Sequence, residues 1–366
     1  MVYRYTGESQ SGGKKGNGDT KLNVKNVVMA VFRCCQKGNH LDTSGCFQDT
    51  LSKKRQFFAK ELLTPMTEIR NEFSWSKSRN EIFQTCPRQY YFNYYGYWGG
   101  WEPNARERTR HIYILKNLKN RFTWAGEKVH DSIKHTLKNL QRGISVLDVD
   151  DIVSITLDQM RDDFRSSKEK RYLAHPKTCA FFEHEYEVDL PDAEWKKVAD
   201  DVQTCLRNFY SSEIYSFLKG LPQQNWLEIE DFSSFNLDGT KIWAVIDCSF
   251  RTEDGVTIID WKTGRSTTTD VSLQLCCYAM YGKEKWGVKP EKIKLVEYNL
   301  LSDQKSESTV TEGEIANTRT YIKGSIADIQ SLLLDVENNV PKEERFFKKI
   351  EDDKIRDRCN FRKICH

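Results

Sequence analysis

The sequence predicts an α/β domain. Three observations carry that prediction. The stretches "TKIWAVIDCSF" and "GVTIIDWK" are rich in Val, Ile and Trp and read as buried strands. The stretch "GEKVHDSIKHTLKNL" places Val129, Ile133, Leu137 and Leu140 at helical spacing. From residue 73 onward the two kinds of pattern are mixed along one chain, as an α/β fold requires.

In chain order, residues 7–20 ("GESQSGGKKGNGDT") have the Gly, Ser and Lys content of a flexible stretch. Residues 21–70 hold apolar segments ("VVMAVF", "FFAKELL") but no pattern that converts into a fold. Residues 1–70 are therefore expected to form a region of unknown role beside a domain over 71–366. That domain opens densely: eight aromatics fall within positions 90–101. Residues 147–219 read as a helical insertion, with "DVDDIVSITLDQMRDDF" and "WKKVADDVQTCLRNFY" as its clearest helices. The two strands follow, then a helix ("VSLQLCCYAMYG"), a strand ("KIKLVEYNLL"), a long helix around "IKGSIADIQSLLLDV" and a cysteine-bearing tail over 355–366.

The totals narrow the function classes. Apolar residues make up 38% and charged residues 30%, which supports a packed core under a charged surface. No run approaches the ~20 apolar residues of a membrane helix. The start, "MVYRYTGESQSGGKKGNG", lacks the apolar middle of a secretory signal, so no membrane and a cytoplasmic location are expected. Eleven cysteines in a long chain without such a signal argue against a disulfide framework. The net charge of +3 decides nothing about partners.

The chemistry gathers at a hairpin. Asp254-Gly255 is a strong two-residue turn signal. With that loop, Glu253 faces Val256, and Asp247 is expected opposite Lys262. Asp260 shares the face of Lys262, because strand side chains repeat every two residues. One patch then holds two carboxylates and an ammonium. The plain explanation is a strand-end salt bridge. The other is a site for a hard cation such as Mg²⁺ or Mn²⁺, with the ammonium beside it to stabilise charge on a phosphate.

The spacing from "AVID" to "DWK" resembles the Asp…(Asp/Glu)-x-Lys signature of the PD-(D/E)XK nuclease superfamily. Three further features resemble its RecB-like branch, which includes iron–sulfur-containing CRISPR-associated and recombination exonucleases. His130 in "GEKVH" stands where that branch has a metal-binding histidine. Gln274 and Tyr278 in "QLCCY" match a Q-x-x-x-Y element near bound DNA. "SWSKSR…CPRQYYF" is similar to the opening of cluster-bearing members. Each also has an ordinary structural explanation, as a core histidine or a packed helix face. Ala244 stands where the family often has glycine.

The resemblance implies a restriction-endonuclease-like core: a central mixed β-sheet, flanking helices and a helical insertion. It implies metal-dependent hydrolysis of DNA phosphodiester bonds, leaving 5′-phosphate and 3′-hydroxyl ends, in repair, recombination or anti-phage defence. His130, Asp247, Asp260 and the Trp261 backbone carbonyl would hold Mg²⁺ or Mn²⁺. Lys262 would position water, while Gln274 and Tyr278 would steady the strand. Arg106, Arg108 and Arg110, next to the aromatic run, would offer phosphate contacts. Two rivals stay open. One is an idle nucleic-acid-binding scaffold for a helicase or nuclease partner, and the other is a structural metalloprotein.

In cluster-bearing relatives one cysteine follows the opening helix and three lie near the C-terminus. Cys86, Cys359 and Cys365 match three of these positions, and Arg356 occupies the fourth. A [4Fe–4S] cluster normally takes four cysteines. The fourth ligand could come from elsewhere, with His366 nearest in sequence. The site could hold zinc through three Cys and one His. Or the cysteines merely pack where a cluster once joined the ends.

Overall fold

A computed structural model describes residues 71–265 and 273–365, all within one unit, Arg70–His366. The readings for residues 1–70, for Val271 and Ser272, and for His366 fall outside the described residues. After the short strand β1 (Ser74–Trp75), α1 (Lys77–Thr85) starts at Ser76, whose hydroxyl accepts from the Arg79 N–H. Cys86 ends α1 and caps α2 (Pro87–Tyr91), and the aromatic run continues into a π-helical turn, Phe92–Gly96. Then come α3 (Glu107–Lys116) and α4 (Arg121–Gln141), the latter capped by the Asn120 carboxamide. The stretch 149–219 is helical in α5 (Val149–Lys168), α6 (Phe182–Glu185), α7 (Asp192–Ser211) and α8 (Glu213–Lys219).

The strands follow: β2 (Ser233–Leu237), β3 (Thr240–Ala244), β4 (Cys248–Thr252) and β5 (Gly255–Lys262). Next are α9 (Leu273–Trp286), β6 (Ile293–Asn299), β7 (Gln304–Ser308) and α10 (Glu312–Gln330). The chain closes with β8 (Leu333–Asp335), β9 (Val340–Pro341) and α11 (Asp353–Asp357). The class is α/β, with mixed sheets flanked by helices. One sheet has the order β4-β5-β6-β7, with β5 and β6 parallel; a second has β1-β3-β2, and β8 and β9 form a small pair.

Alternation along β5 sets the layers. Val256 and Ile258 join one core with α9 and α10, whereas Ile259 and Trp261 join another with α4 and α7. Each such fully buried side chain contributes about 1.5–3 kcal/mol. Asp260 and Lys262 lie on the α9 face, at the end of the strand where that core runs out.

Three details depart from the sequence reading. "TKIWAVIDCSF" is not one strand: it breaks over 245–247, leaving Asp247 between β3 and β4. The turn lies at Glu253 and Asp254, so Thr252 pairs with Gly255 and Cys248 with Ile259. That register is two residues from the expected one and sets Asp247 opposite Asp260, not Lys262. Because the pleat repeats every two residues, the slip keeps every side chain on its expected face. Gly255 serves a close approach: a Cβ there would lie 2.1 Å from the Lys292 carbonyl oxygen. Finally, "SLLLDV" leaves the helix after Gln330, and Leu333 opens β8.

Candidate active site

Four elements meet at the end of β5. The break at 245–247 turns Asp247 back toward the strand, where its Oδ2 accepts the Trp261 N–H at 2.8 Å. The bond fixes the carboxylate's orientation and leaves Oδ1 facing α4. There His130 Nδ1 lies 3.4 Å from Asp247 Oδ1 and 3.5 Å from Glu230 Oε1. His130, Glu230 and Asp247 each offer a donor atom, all within 4.8 Å of one another. Among the described residues no other group of His, Cys, Asp or Glu converges so closely.

Asp260 is 1% exposed and is ion-paired through Oδ2 with Lys262 Nζ. Lys262 also donates to Gln274 Oε1 at 3.1 Å, and Gln274 Nε2 donates to the Tyr278 hydroxyl at 2.7 Å. That hydroxyl donates to the Val245 carbonyl at 2.6 Å and lies 3.4 Å from Asp260 Oδ1. The i, i+4 pair on α9 thus braces the lysine from one side and the broken strand from the other. All these side chains line one cleft of about 490 Å³, together with Thr263 and Gly264.

The electrostatics follow from crowding carboxylates in a half-closed cleft. Burial, then the Asp247 charge, push the Asp260 carboxyl up to about 6, against the pull of Lys262. Burial alone would lower the His130 imidazole, but Asp247 and then Glu230 outweigh it and hold its pKa well above the usual value. Lys262 behaves alike: burial opposes its charge, and Asp260 restores and exceeds it. The Tyr278 hydroxyl is raised strongly by burial and by both aspartates, so it stays neutral.

A family model for the PD-(D/E)XK nuclease superfamily matches residues 74–366. The chain belongs to that superfamily. No curated protein matches. Among solved structures, the crystal structure of SSO0001 is similar at 19% identity, covering 50% of this chain and 78% of that one, with a TM-score of 0.26. That likeness carries no weight here, and the family model does.

PD-(D/E)XK nucleases use divalent metals, and the donors of this nuclease fit one. Glu230 Oε1 and Asp260 Oδ2 are buried, and each meets one cationic neighbour, His130 Nδ1 at 3.5 Å and Lys262 Nζ. Three carboxylates crowded around one ammonium and one imidazole are costly to bury unless further positive charge meets them. Hard oxygen donors with one imidazole suit such an ion. Glu230 was not singled out from the sequence. It sits in a left-handed conformation (φ 45°) ahead of β2, and its N–H bonds the Ile246 carbonyl beside the strand break. The acidic run "EIED" over 228–231 is its only trace in the sequence. Trp261 lines the cleft while its indole is 2% exposed in the opposite core.

Other expected residues lie elsewhere. Arg106, Arg108 and Arg110 are not among the cleft's lining residues. Arg108 holds Glu344 Oε2 at 2.8 Å, and Arg110 bonds the Glu102 and Pro103 carbonyls. Tyr90, Phe92 and Tyr95 of the aromatic run are buried. Cys86, Cys359 and Cys365 line a separate cavity of about 720 Å³, with Arg356 at its wall beside Arg88, Lys348, Lys349 and Arg362. Burial first, then its backbone bond and neighbours that include Cys86 and Cys365, set the Cys359 thiol at about 11. Among the described residues these three thiols do not lie within 4.8 Å of one another. Arg356 stands at the position of the fourth cysteine and lines the same cavity, so a cluster would take its fourth ligand from another group. No helix among the described residues is long and apolar enough to cross a membrane.

Proposed function

We propose that this nuclease hydrolyses DNA phosphodiester bonds with Mg²⁺ or Mn²⁺. The observation that supports it most is the single cleft holding His130, Glu230, Asp247, Asp260, Lys262, Gln274 and Tyr278. His130, Asp247, Asp260 and the Trp261 carbonyl would hold the ion, with Glu230 added to that set by its place in the structure. The bound ion supplies Lewis acidity toward the phosphate and a more acidic water. Lys262 orients the attacking water and offsets charge on the phosphate. The new P–O bond forms as the bond to the 3′ oxygen breaks, leaving 5′-phosphate and 3′-hydroxyl ends. Gln274 holds the Lys262 ammonium in line, and Tyr278 ties both to the strand break.

Arg106, Arg108 and Arg110 belong to this reading only as outlying phosphate contacts. Repair, recombination or anti-phage defence, and a helicase partner, rest on analogy of fold. The test is cleavage of end-labelled single- and double-stranded DNA in Mg²⁺, Mn²⁺ or EDTA, with Lys262→Ala beside the wild type. Metal-dependent cleavage that vanishes in the variant supports the reading. A folded wild type that binds DNA without cutting it would leave the scaffold alternative standing.

A further inference from the structure

Beside the metal cleft lies a second cavity, of about 270 Å³, which the proposed chemistry does not use. Thr263 and Gly264 line both, so the two spaces share a wall just after β5. The reason is a close crossing. A Cβ on Gly126 would lie 3.0 Å from Thr263 Oγ1, so α4 passes the chain end of β5 with no side chain between them. Val129, which precedes His130, faces this cavity together with Ala125, Val198, Val202 and Leu301.

The walls are apolar and the rim is not. Phe122 lines the cavity yet is 60% exposed, and the Arg121 guanidinium covers its ring at 4.2 Å. Arg265 and Asp201 also line the cavity, paired with each other at 3.1 Å. Apolar walls, an exposed ring and one donor–acceptor pair are what a flat heteroaromatic group with polar edges requires. The space adjoins the cleft in which a phosphodiester would be cut.

We propose that this cavity receives one unpaired nucleobase of the strand being cleaved, stacked on Phe122 and met at its edge by Arg265 and Asp201. The inference rests on the nuclease reading and deepens it. A base can enter only after leaving its duplex partner, so the preferred substrate is single-stranded, or carries an unpaired nucleotide next to the scissile phosphate.

The test uses single-stranded DNA oligonucleotides carrying one abasic residue, moved stepwise past the cleavage site. At one position, kcat/KM of the full-length protein should fall roughly tenfold to a hundredfold, the scale of one lost base stack. Phe122→Ala should cut the intact strand that slowly and be indifferent to the abasic residue, while Phe122→Trp restores the wild-type pattern. Equal rates at every abasic position overturn the inference, as does a Phe122→Ala loss that simply adds to the abasic loss. A second readout needs no cleavage. 2-Aminopurine at the sensitive position, or at each position if nothing is cut, should change fluorescence on binding Lys262→Ala protein and not on binding the Phe122→Ala, Lys262→Ala double variant. An unchanged signal in the first protein overturns the base pocket whether or not the wild type cuts. A changed signal with an uncut strand would retain the pocket and remove the nuclease reading alone.

Discussion

The cleft at the end of β5 and the cysteine cavity both collect candidate metal donors, and they do so to different degrees. In the cleft, three donor atoms lie within 4.8 Å of one another. The three thiols around the larger cavity do not. The difference lies in what holds the backbone. His130 rides on the long helix α4, and Asp247 is fastened to the Trp261 N–H of a strand with neighbours on both sides; Asp260 of that strand lines the cleft outside the group of three. Glu230 is tied to the same break through Ile246. Cys359 and Cys365 follow the five-residue helix α11 in a run of turns, held by the buried Phe361 and by side-chain bonds from Tyr186 to the Asn360 carbonyl and from Asn360 to the Leu118 carbonyl. A site is preorganised when its donors ride on rigid elements, and the tail's thiols ride on turns tied down between them instead of on a helix or strand.

The largest expected effect tests the cleft at its centre. Lys262→Ala should lower kcat by roughly 10²–10³-fold or more, the scale for losing one group that meets charge developing in the transition state. Activity unchanged in that variant would make the lysine an ordinary partner of Asp260. Next is Glu230→Gln, which keeps shape and removes charge. It should weaken Mn²⁺ binding, read by calorimetry, by on the order of 10- to 100-fold. An unaltered affinity would return Glu230 to a structural role, as the partner of Lys134 at 3.5 Å.

Glu230 also marks where the sequence stopped being readable. Asp247, Asp260 and Lys262 could be placed on one patch because period-two alternation is a local property. It survived even a turn placed one residue off, which shifts the register by two. Gln274 and Tyr278 were equally legible, since i, i+4 neighbours share a helix face. Glu230 reaches the cleft through a left-handed residue and a bond to a distant strand break, and neither leaves a periodic trace. The Arg108 pairing was illegible for the same reason: its partner Glu344 lies 236 residues away. The breaking of "AVID" between two sheets was illegible too, because continuous apolar residues look alike on either side of a bend.

The cleft should also show itself in pH. Asp260 is pushed up to about 6, so the folded chain keeps a proton that the unfolded chain releases at lower pH. Metal-free stability therefore falls as pH rises from the usual carboxylate range through about 6. His130 has the same sign: its raised pKa stabilises the fold below the unfolded value, and that gain is lost as pH climbs through the folded one. Mn²⁺ competes with those protons, so it should raise the melting temperature more near pH 7.5 than near pH 5. Asp260→Asn should flatten both trends. The cysteine cavity supplies the contrast. Arg356→Cys completes the four-thiol spacing, and iron–sulfide reconstitution should give it more bound iron and visible absorbance than the wild type. Equal uptake by both proteins would show that the fourth thiol was not what the cavity lacked.

The smallest effect separates the two regions most cleanly. Arg108 shares Glu344 with Arg88, and Arg88 lines the cysteine cavity. It is therefore tied to the tail's surroundings and not to the cleft. The Arg108–Glu344 pair is half open to solvent, so Arg108→Ala should cost no more than about 1 kcal/mol of stability. Arg106 has no ion pair among the described residues, so its charge is free to meet a phosphate. Arg106→Ala should reduce the slope of log affinity against log salt by about one on single-stranded DNA, and Arg108→Ala should leave it unchanged. If both variants lower the slope alike, Arg108 leaves Glu344 when DNA binds. The strand would then extend from the carboxylate cleft toward the cysteine cavity, and the two regions would work on one substrate.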